Sequence, residues 1–311
     1  MRTRAQQRGV ALIMVLWVTA LLAIVSGSYA MVARTEYLQS RYTFDATRAR
    51  MAAEAGLNRA VFELRNPDFA SRWMADGRVY EMGFDAATLR ISVLDETGKI
   101  DLNAASPAIL RGLFNSIGLD EATQDSLADA IIDWRDPDDL RGLNGAEDDD
   151  YAAAGYPYGA RDAPFATIEE LQQVMGMNYA LYKKVESAVT VFSGRNNVNA
   201  AVAPLLALMA MPNISRQQAE DFIAQRQAAS ANESLSFGNQ QVRTAPAGGL
   251  TFTVRVAASL RNGIESDLEA TVRLRGGGAG VRAFSVLRWH PGVLDRGAMP
   301  RSQSEHLRGG T

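Results

Sequence analysis

The densest group of chemically capable side chains lies in residues 133–150, DWRDPDDLRGLNGAEDDD. Eight carboxylates (Asp133, Asp136, Asp138, Asp139, Glu147, Asp148, Asp149 and Asp150) stand against Arg135 and Arg141, a net charge of −6 in eighteen residues. Like charges packed this closely repel, so the run is either a solvated face or is gathered by a cation. Hard carboxylate oxygens with no thiol or imidazole beside them suit calcium above zinc or copper. An EF-hand register can be tested directly. With Asp136 as the first ligand, Asp138 falls third and Glu147 twelfth, but Leu140 and Arg141 occupy the fifth and sixth positions, where an oxygen ligand and a glycine are required. The EF-hand fails. A solvated face and a non-EF-hand loop with two carboxylate clusters both fit the residues.

Other chemistries are narrowed by composition. The 311 residues contain no cysteine, which removes disulfides, thiolate metal sites and cysteine nucleophiles. The two histidines, His290 and His306, both lie near the C-terminus, so a histidine-rich zinc centre is excluded. A formal net charge of −3 exerts no long-range pull on nucleic acid. No catalytic dyad stands out, and the chain reads as a non-enzyme.

The elements that must carry the loop begin with a membrane segment. Residues 1–9, MRTRAQQRG, hold three arginines and no acid, and residues 10–33 carry no charge. At about 1.5 Å per residue such a helix is ~36 Å long, enough for ~30 Å of hydrocarbon. The preceding arginines predict a cytoplasmic N-terminus. A cleaved secretory signal has a shorter apolar run, with its cut site after the run rather than before it.

Beyond the membrane, Tyr37, Phe44, Met51, Ala55 and Phe62 fall on one stripe at 100° per residue, which predicts a continuing helix whose apolar face is covered by a sheet or serves as a coiled-coil face, for which it is short. Asn66-Pro67 predicts its end. Residues 78–82 and 89–95 read as short strands. Residues 250–260 and 267–275 form a hairpin around Asn262-Gly263, and 284–289 add an edge strand. Between the strand groups the pattern is helical. Ser106-Pro107 is a cap with proline at the first helical position, Leu127, Ile131 and Trp134 mark an inward face, Thr167 and Glu170 suggest a capping box, and 179–188 suggest a further helix.

A degenerate repeat runs through this region. Residues 101–105, DLNAA, followed by Leu110 and Leu113, recur as 197–201, NVNAA, followed by Leu206 and Met209; each copy leads to a helix ending near Arg135 or Arg226. Both resemble SAM-like or helix-hairpin-helix units. The DNA-binding version needs a glycine-rich hairpin with basic residues nearby. Here the hairpins read Ile117-Gly118-Leu119-Asp120-Glu121 and Pro212-Asn213-Ile214-Ser215, the first acidic and the second without glycine, so nucleic acid is not an expected partner.

The junction Gln7-Arg8-Gly9-Val10-Ala11-Leu12-Ile13 resembles the leader of type IV pilins and type II secretion pseudopilins. That resemblance implies cutting by a prepilin peptidase between Gly9, on an extended hinge, and Val10, with methylation of the new amine. Most relatives carry glutamate at the fifth mature position, which here is Met14. A carboxylate inside hydrocarbon persists only with a partner, and a subunit with no neighbour above it has none. The missing acid, the helical insertion and the acidic loop together resemble the minor pseudopilin K family. The run of Asp133, Trp134, Asp136, Gly145, Ala146, Glu147, Asp148 and Tyr151, then Pro164-Phe165 and Glu170-Leu171, recurs in that family and is associated there with calcium. The resemblance implies structural calcium ligands among Asp133, Asp136, Asp138, Glu147, Asp148 and Asp149.

The expected fold is α+β: a pilin-like long N-terminal transmembrane helix and a small antiparallel sheet, with an inserted all-α domain containing the two SAM-like units. The expected parts are a leader (1–9), a transmembrane and stalk helix (10–66), a discontinuous pilin-like α/β domain (67–99 and 235–290), an inserted helical domain with the acidic loop (100–234) and a flexible tail (291–311). The resemblance implies a single-pass inner-membrane protein with a periplasmic C-terminal domain, a non-enzymatic subunit capping the pseudopilus tip. Its implied partners are I- and J-type minor pseudopilins, the prepilin peptidase, the inner-membrane secretion platform and membrane lipid. A minor pilin of a type IV pilus and an anchored periplasmic binding module are the alternatives.

Overall fold

The computed structural model describes residues 8–68, 71–244, 248–276 and 282–292. Most of the expected tail and leader lie outside these residues. Helix α1 (Arg8–Leu64) is followed by strands β1 (Asp76–Phe84), β2 (Ala87–Asp95) and β3 (Ile100–Asp101). Helices α2 (Pro107–Ser116), α3 (Glu121–Arg135), α4 (Asp148–Ala153) and α5 (Tyr179–Val185) come next, then β4 (Val189–Thr190), α6 (Leu205–Met209) and α7 (Arg216–Ala228). Strands β5 (Ser234–Phe237), β6 (Gln240–Arg243), β7 (Thr251–Leu260), β8 (Glu265–Leu274) and β9 (Phe284–Pro291) complete the order.

Helix α1 has 57 residues, ~85 Å at the usual rise. Its first half is exposed on all sides, and its second half packs on a five-stranded antiparallel sheet of order β1-β2-β7-β8-β9. The face that meets the sheet is not the predicted aromatic stripe. Ala49, Ala52, Ala53, Leu57, Ala60 and Val61 are buried, whereas Tyr37, Phe44, Met51 and Phe62 remain 64%, 67%, 47% and 65% exposed. Small residues let the helix lie close to the branched side chains of the sheet. A Cβ on Gly56 would meet Val256 Cγ1 at 2.7 Å, so side-chain bulk rather than hydrophobicity decides which face is covered.

The sheet sets the position of everything else. Strands β2 and β7 are neighbours, with Asp95 opposite Phe252, although the whole helical region separates that pair in the chain. The chain between them hangs from this end of the sheet. Helix α1 reaches the sheet at the other end, where Arg48 Nη2 bonds Asp85 Oδ2 at 2.6 Å in the β1–β2 turn and Asn262 Nδ2 bonds Asp45 Oδ2 at 2.7 Å in the β7–β8 turn. The helical body therefore lies at the end of the sheet distal to the apolar stalk.

That body has its own core, built on Leu110, Leu113, Phe114, Leu127, Ile131 and Trp134. Ser106 caps α2 by accepting from Ile109 N, with Pro107 following, as the sequence predicts. Thr167 does not form the expected capping box. It makes no side-chain cap, residues Ile168–Gln173 form a 3₁₀ helix, and Glu170 Oε2 accepts from Ala166 N at 3.2 Å instead. The short parallel pair β3–β4 was not anticipated. The hairpin β5–β6, expected with the sheet from residue 235, packs on the helical core, where the rings of Phe237 and Phe222 stand 4.3 Å apart.

The repeat has a structural counterpart, in a shifted register. Asp101 Oδ1 accepts from Asn103 N, and Asn199 Oδ1 accepts from Ala201 N, so Asp101 matches Asn199 rather than Asn197. Arg135 then donates to the carbonyls of Leu102 and Ala105, as Arg226 does to those of Ala200 and Ala203. Each arginine ties the end of its helix to the turn that precedes the first helix of its pair.

Candidate metal centre

Helix α3 presents the first carboxylate cluster. Asp120 caps it by accepting from Thr123 N at 3.1 Å, and Leu127, Ile131 and Trp134 turn its apolar face into the core. This leaves Asp129 and Asp133 on the face the loop folds back upon. Asp133 is buried, and both its oxygens accept from Gly142 N at 3.1 Å. Asp129 Oδ2 accepts from Asn144 N and Nδ2, each at 3.2 Å. Sequence reasoning did not single out Asp129. Its place one turn before Asp133 on the same helix face was the available signal.

The second cluster sits at the start of α4. Glu147 is the residue before its first turn and is buried. Its Oε1 and Asp136 Oδ1 are fully enclosed and have no hydrogen-bond partner among the described residues. Burial, then the charges of Asp133 and Asp136, pushes the Glu147 carboxyl up to about 7. Burial, then Asp138, raises Asp136 against the opposing pull of Arg135. Burial raises Asp133 too, with Asp136 and Asp129 adding to it. These three carboxyls sit in one another's field.

The other expected ligands are placed differently. Asp138 is exposed and accepts from Leu140 N at 3.0 Å within its own turn. Asp148 and Asp149 are exposed on α4, and the carboxylate of Asp148 crowds Gly159, where a Cβ would meet Oδ1 at 1.7 Å. Asp150 pairs with Arg141 at 2.8 Å and accepts from Glu147 N at 3.1 Å, so its carboxyl is held low, chiefly by the Glu147 N–H. Asp162, unforeseen in the sequence, joins the field: burial raises it, with Asp148 and Asp139 contributing.

Aromatic packing supplies the burial. Trp134 lies 6.2 Å from Phe165 and 6.3 Å from Tyr158, and Tyr151 lies 5.9 Å from Trp134 (ring centroids). Asn103 fixes Phe165 by donating to its carbonyl at 3.0 Å and accepting from its N–H at 2.6 Å. The donor chemistry fits a hard cation: oxygens only, two of them enclosed and unpartnered, in a field that favours proton or metal. The side chains are not preassembled around one point. No group of three such ligands converges among the described residues.

At the other end of the molecule, Val10 and Met14 are exposed within α1, and the helix already includes Arg8 and Gly9. The extended glycine hinge expected at the cleavage point is therefore a helical turn here.

Residues 89–194 match the domain described as "Type II secretion system (T2SS), protein K". The chain is 29% identical over 228 residues to "Type II secretion system protein K" of Klebsiella pneumoniae, covering 66% of this chain and 70% of the relative. It is 26% identical over 252 residues to the protein of the same description from Pectobacterium carotovorum subsp. carotovorum, covering 72% and 76%. Over these residues the chain is similar to proteins of the type II secretion system protein K family. A chain in the crystal structure of the GspK-GspI-GspJ complex from enterotoxigenic Escherichia coli shares the fold, with a TM-score of 0.55 at 18% identity over 84% of this chain and 99% of that one. The matched residues contain both carboxylate clusters, together with helices α2 to α5. Among the described residues, one long apolar helix, near the N-terminus, is compatible with a single membrane span.

Proposed function

We propose that this protein is a minor pseudopilin that caps the pseudopilus tip and helps start its assembly, so that folded proteins can be exported across the outer membrane. Its role is that of a subunit rather than an enzyme. The observation that carries the reading is the position of the helical body: it hangs from the end of the sheet formed by Asp95 and Phe252, opposite the end where Asp45 and Arg48 bring in the stalk. A mass of this size at the far end leaves the exposed stalk free to join parallel helices, but it would collide with the next subunit of a tightly wound shaft. I- and J-type minor pseudopilins are the proposed partners; the solved enterotoxigenic Escherichia coli structure is a complex of GspK with GspI and GspJ. The inner-membrane secretion platform and lipid surround the stalk, with the N-terminus cytoplasmic.

Prepilin peptidase cuts between Gly9 and Val10 after the first turn of α1 unwinds, and the new amine is methylated. Met14 takes the place of the membrane acid because nothing stacks above it. Calcium is a structural ion in the acidic loop, drawn by Asp133, Asp136 and Glu147, with Asp138, Asp148 and Asp149 completing the shell as the loop adjusts. Intact mass spectrometry of the membrane protein, with and without the peptidase, tests the class. A chain starting at methylated Val10 supports it, and retention of the first nine residues beside an active peptidase overturns it.

A further inference from the structure

A cavity of about 230 Å³ lies between the sheet and the helical body, walled by Asp76 and Ser92 on one side, Ile223, Arg226 and Gln227 on the other, and Arg255 on β7. Its chemistry is unbalanced. Arg226 is 1% exposed. Its Nη1 donates to the carbonyls of Ala200 and Ala203 at 2.8 and 3.1 Å, and its Nη2 to that of Asp76 at 3.2 Å. Its Nε is enclosed and donates to nothing among the described residues. The nearest carboxylate oxygen, Asp76 Oδ2, stands 3.8 Å away.

Asp76 is already engaged by another cation. Arg78 Nε reaches Oδ1 at 3.0 Å and Arg78 Nη2 reaches Oδ2 at 2.9 Å. Two guanidinium groups thus share one carboxylate: Arg226 and Asp76 are enclosed, and the Arg78 side chain is partly exposed at the edge of the seam. Across the cavity, Arg255 gives its Nε to Glu269 at 2.6 Å, and Arg288, held by Glu169 at 2.6 Å, lies 3.4 Å from Glu269, so these charges balance. Lys99 pairs with Glu96 at 2.7 Å, so the neighbouring charges offer no spare acid. A buried donor without an acceptor is costly, more so when the group is charged, and a surplus of charge beside a cavity favours a counter-ion there.

We infer that this cavity is a binding site for a small oxyanion, a carboxylate or a phosphate, drawn by the charges of Arg226 and Arg255 in its wall. Such an anion offsets the surplus positive charge of the two arginines that share Asp76. It also joins the sheet, through Arg255, to α7, through Arg226, so occupancy stiffens the seam that holds the helical body on the sheet. The lowered affinity of Arg226 for its proton, to about 10, has burial as its first cause, and the repulsion of Arg78 adds to it.

The test uses the full chain in detergent micelles with EDTA present, which keeps it independent of calcium. Melting is followed against acetate and against phosphate, with chloride at matched ionic strength as the reference. Wild type is expected to show a saturable rise with an oxyanion and none with chloride. Gln227→Trp, which plugs the rim without touching Arg226, is expected to abolish the rise. Arg255→Gln is expected to weaken the apparent affinity about tenfold, the effect of one lost charged hydrogen bond. No saturable rise in wild type, or an equal rise in the plugged variant, overturns the site. Because the chain need not be processed or assembled for this measurement, its failure leaves the pseudopilin reading untouched.

Discussion

Gly145 lies so close to Asp133 that a Cβ on the glycine would sit 1.9 Å from Oδ2. The loop can return along α3 only because this position has no side chain. Gly145→Ala forces either the buried carboxylate or the loop backbone to move, and overpacking of this kind costs about 1–3 kcal/mol. Gly83→Ala is the matched control, since its Cβ would meet nothing within 4 Å. Chemical denaturation of the two variants should show a lowered midpoint for the first and none for the second. Equal midpoints would mean that the loop does not depend on this close approach.

The acidic loop gives a pH dependence whose sign can be worked out. The folded carboxyl of Glu147 titrates near 7, above its ordinary value of 4.5. Between these values the folded protein holds the proton more tightly than the unfolded chain, so stability falls as pH rises through the window. At about 1.36 kcal/mol per pH unit the loss is at most ~3 kcal/mol. Glu147→Gln should flatten that slope in melting curves taken with EDTA. Calcium competes with the same proton, so its stabilisation should grow as pH rises towards 7.

Calcium should raise the melting temperature of wild type, and Asp136→Ala with Glu147→Ala should abolish the rise. Terbium offers a direct readout, because Trp134 and Tyr151 lie beside the carboxylates and can sensitise its emission. Absence of both the shift and the emission in wild type would remove the metal from the account and leave a proton-holding loop.

The strands of the large sheet were legible because they alternate and because Asn262-Gly263 marks a hairpin turn. Ser106-Pro107 and the Leu127, Ile131, Trp134 face were legible for similar local reasons. The buried face of α1 was not. Periodicity counts apolar residues alike, whereas the sheet selects Ala52, Ala53, Gly56 and Ala60 for their small size and leaves Phe44 and Phe62 outside. The site was half legible. Charge density located the acidic run, but Asp129 and Asp162 enter through the fold-back of a loop that only the glycines at 142, 145 and 159 permit. The two-residue shift of the repeat was hidden as well, since the hydrogen bonds that match Asp101 to Asn199 leave no trace in the apolar pattern.

Arg226 links three segments through carbonyls of Ala200, Ala203 and Asp76. Arg226→Met keeps much of the volume and removes the donors, leaving those acceptors unpaired inside the seam. Breaking a buried charged group of this kind costs about 3–5 kcal/mol. Arg135→Met, at the equivalent place in the first helix pair, removes donors from Leu102 and Ala105 at a partly exposed position and should cost less. Urea unfolding of both variants checks the order. If Arg135→Met proves the more damaging, burial of the arginine is not what sets its worth.

The exposed side of α1 gives a prediction in which stability and assembly part company. Ala53 is 1% exposed against the sheet, while Phe44 and Phe62 are 67% and 65% exposed on the other side. Ala53→Leu inserts bulk where helix and sheet already touch and should destabilise the fold by about 1–3 kcal/mol. Phe44→Ser with Phe62→Ser removes apolar surface that the folded chain leaves uncovered, so its melting should stay close to wild type, within about 0.5 kcal/mol for each change. Exposed aromatic side chains are the residues most often found to anchor protein interfaces. In co-purification of the full chain with I- and J-type minor pseudopilins from detergent, the double serine variant should therefore lose partner recovery although it folds normally. Full recovery with the variant would show that the stalk associates through another face and would leave the aromatic stripe without a role in assembly.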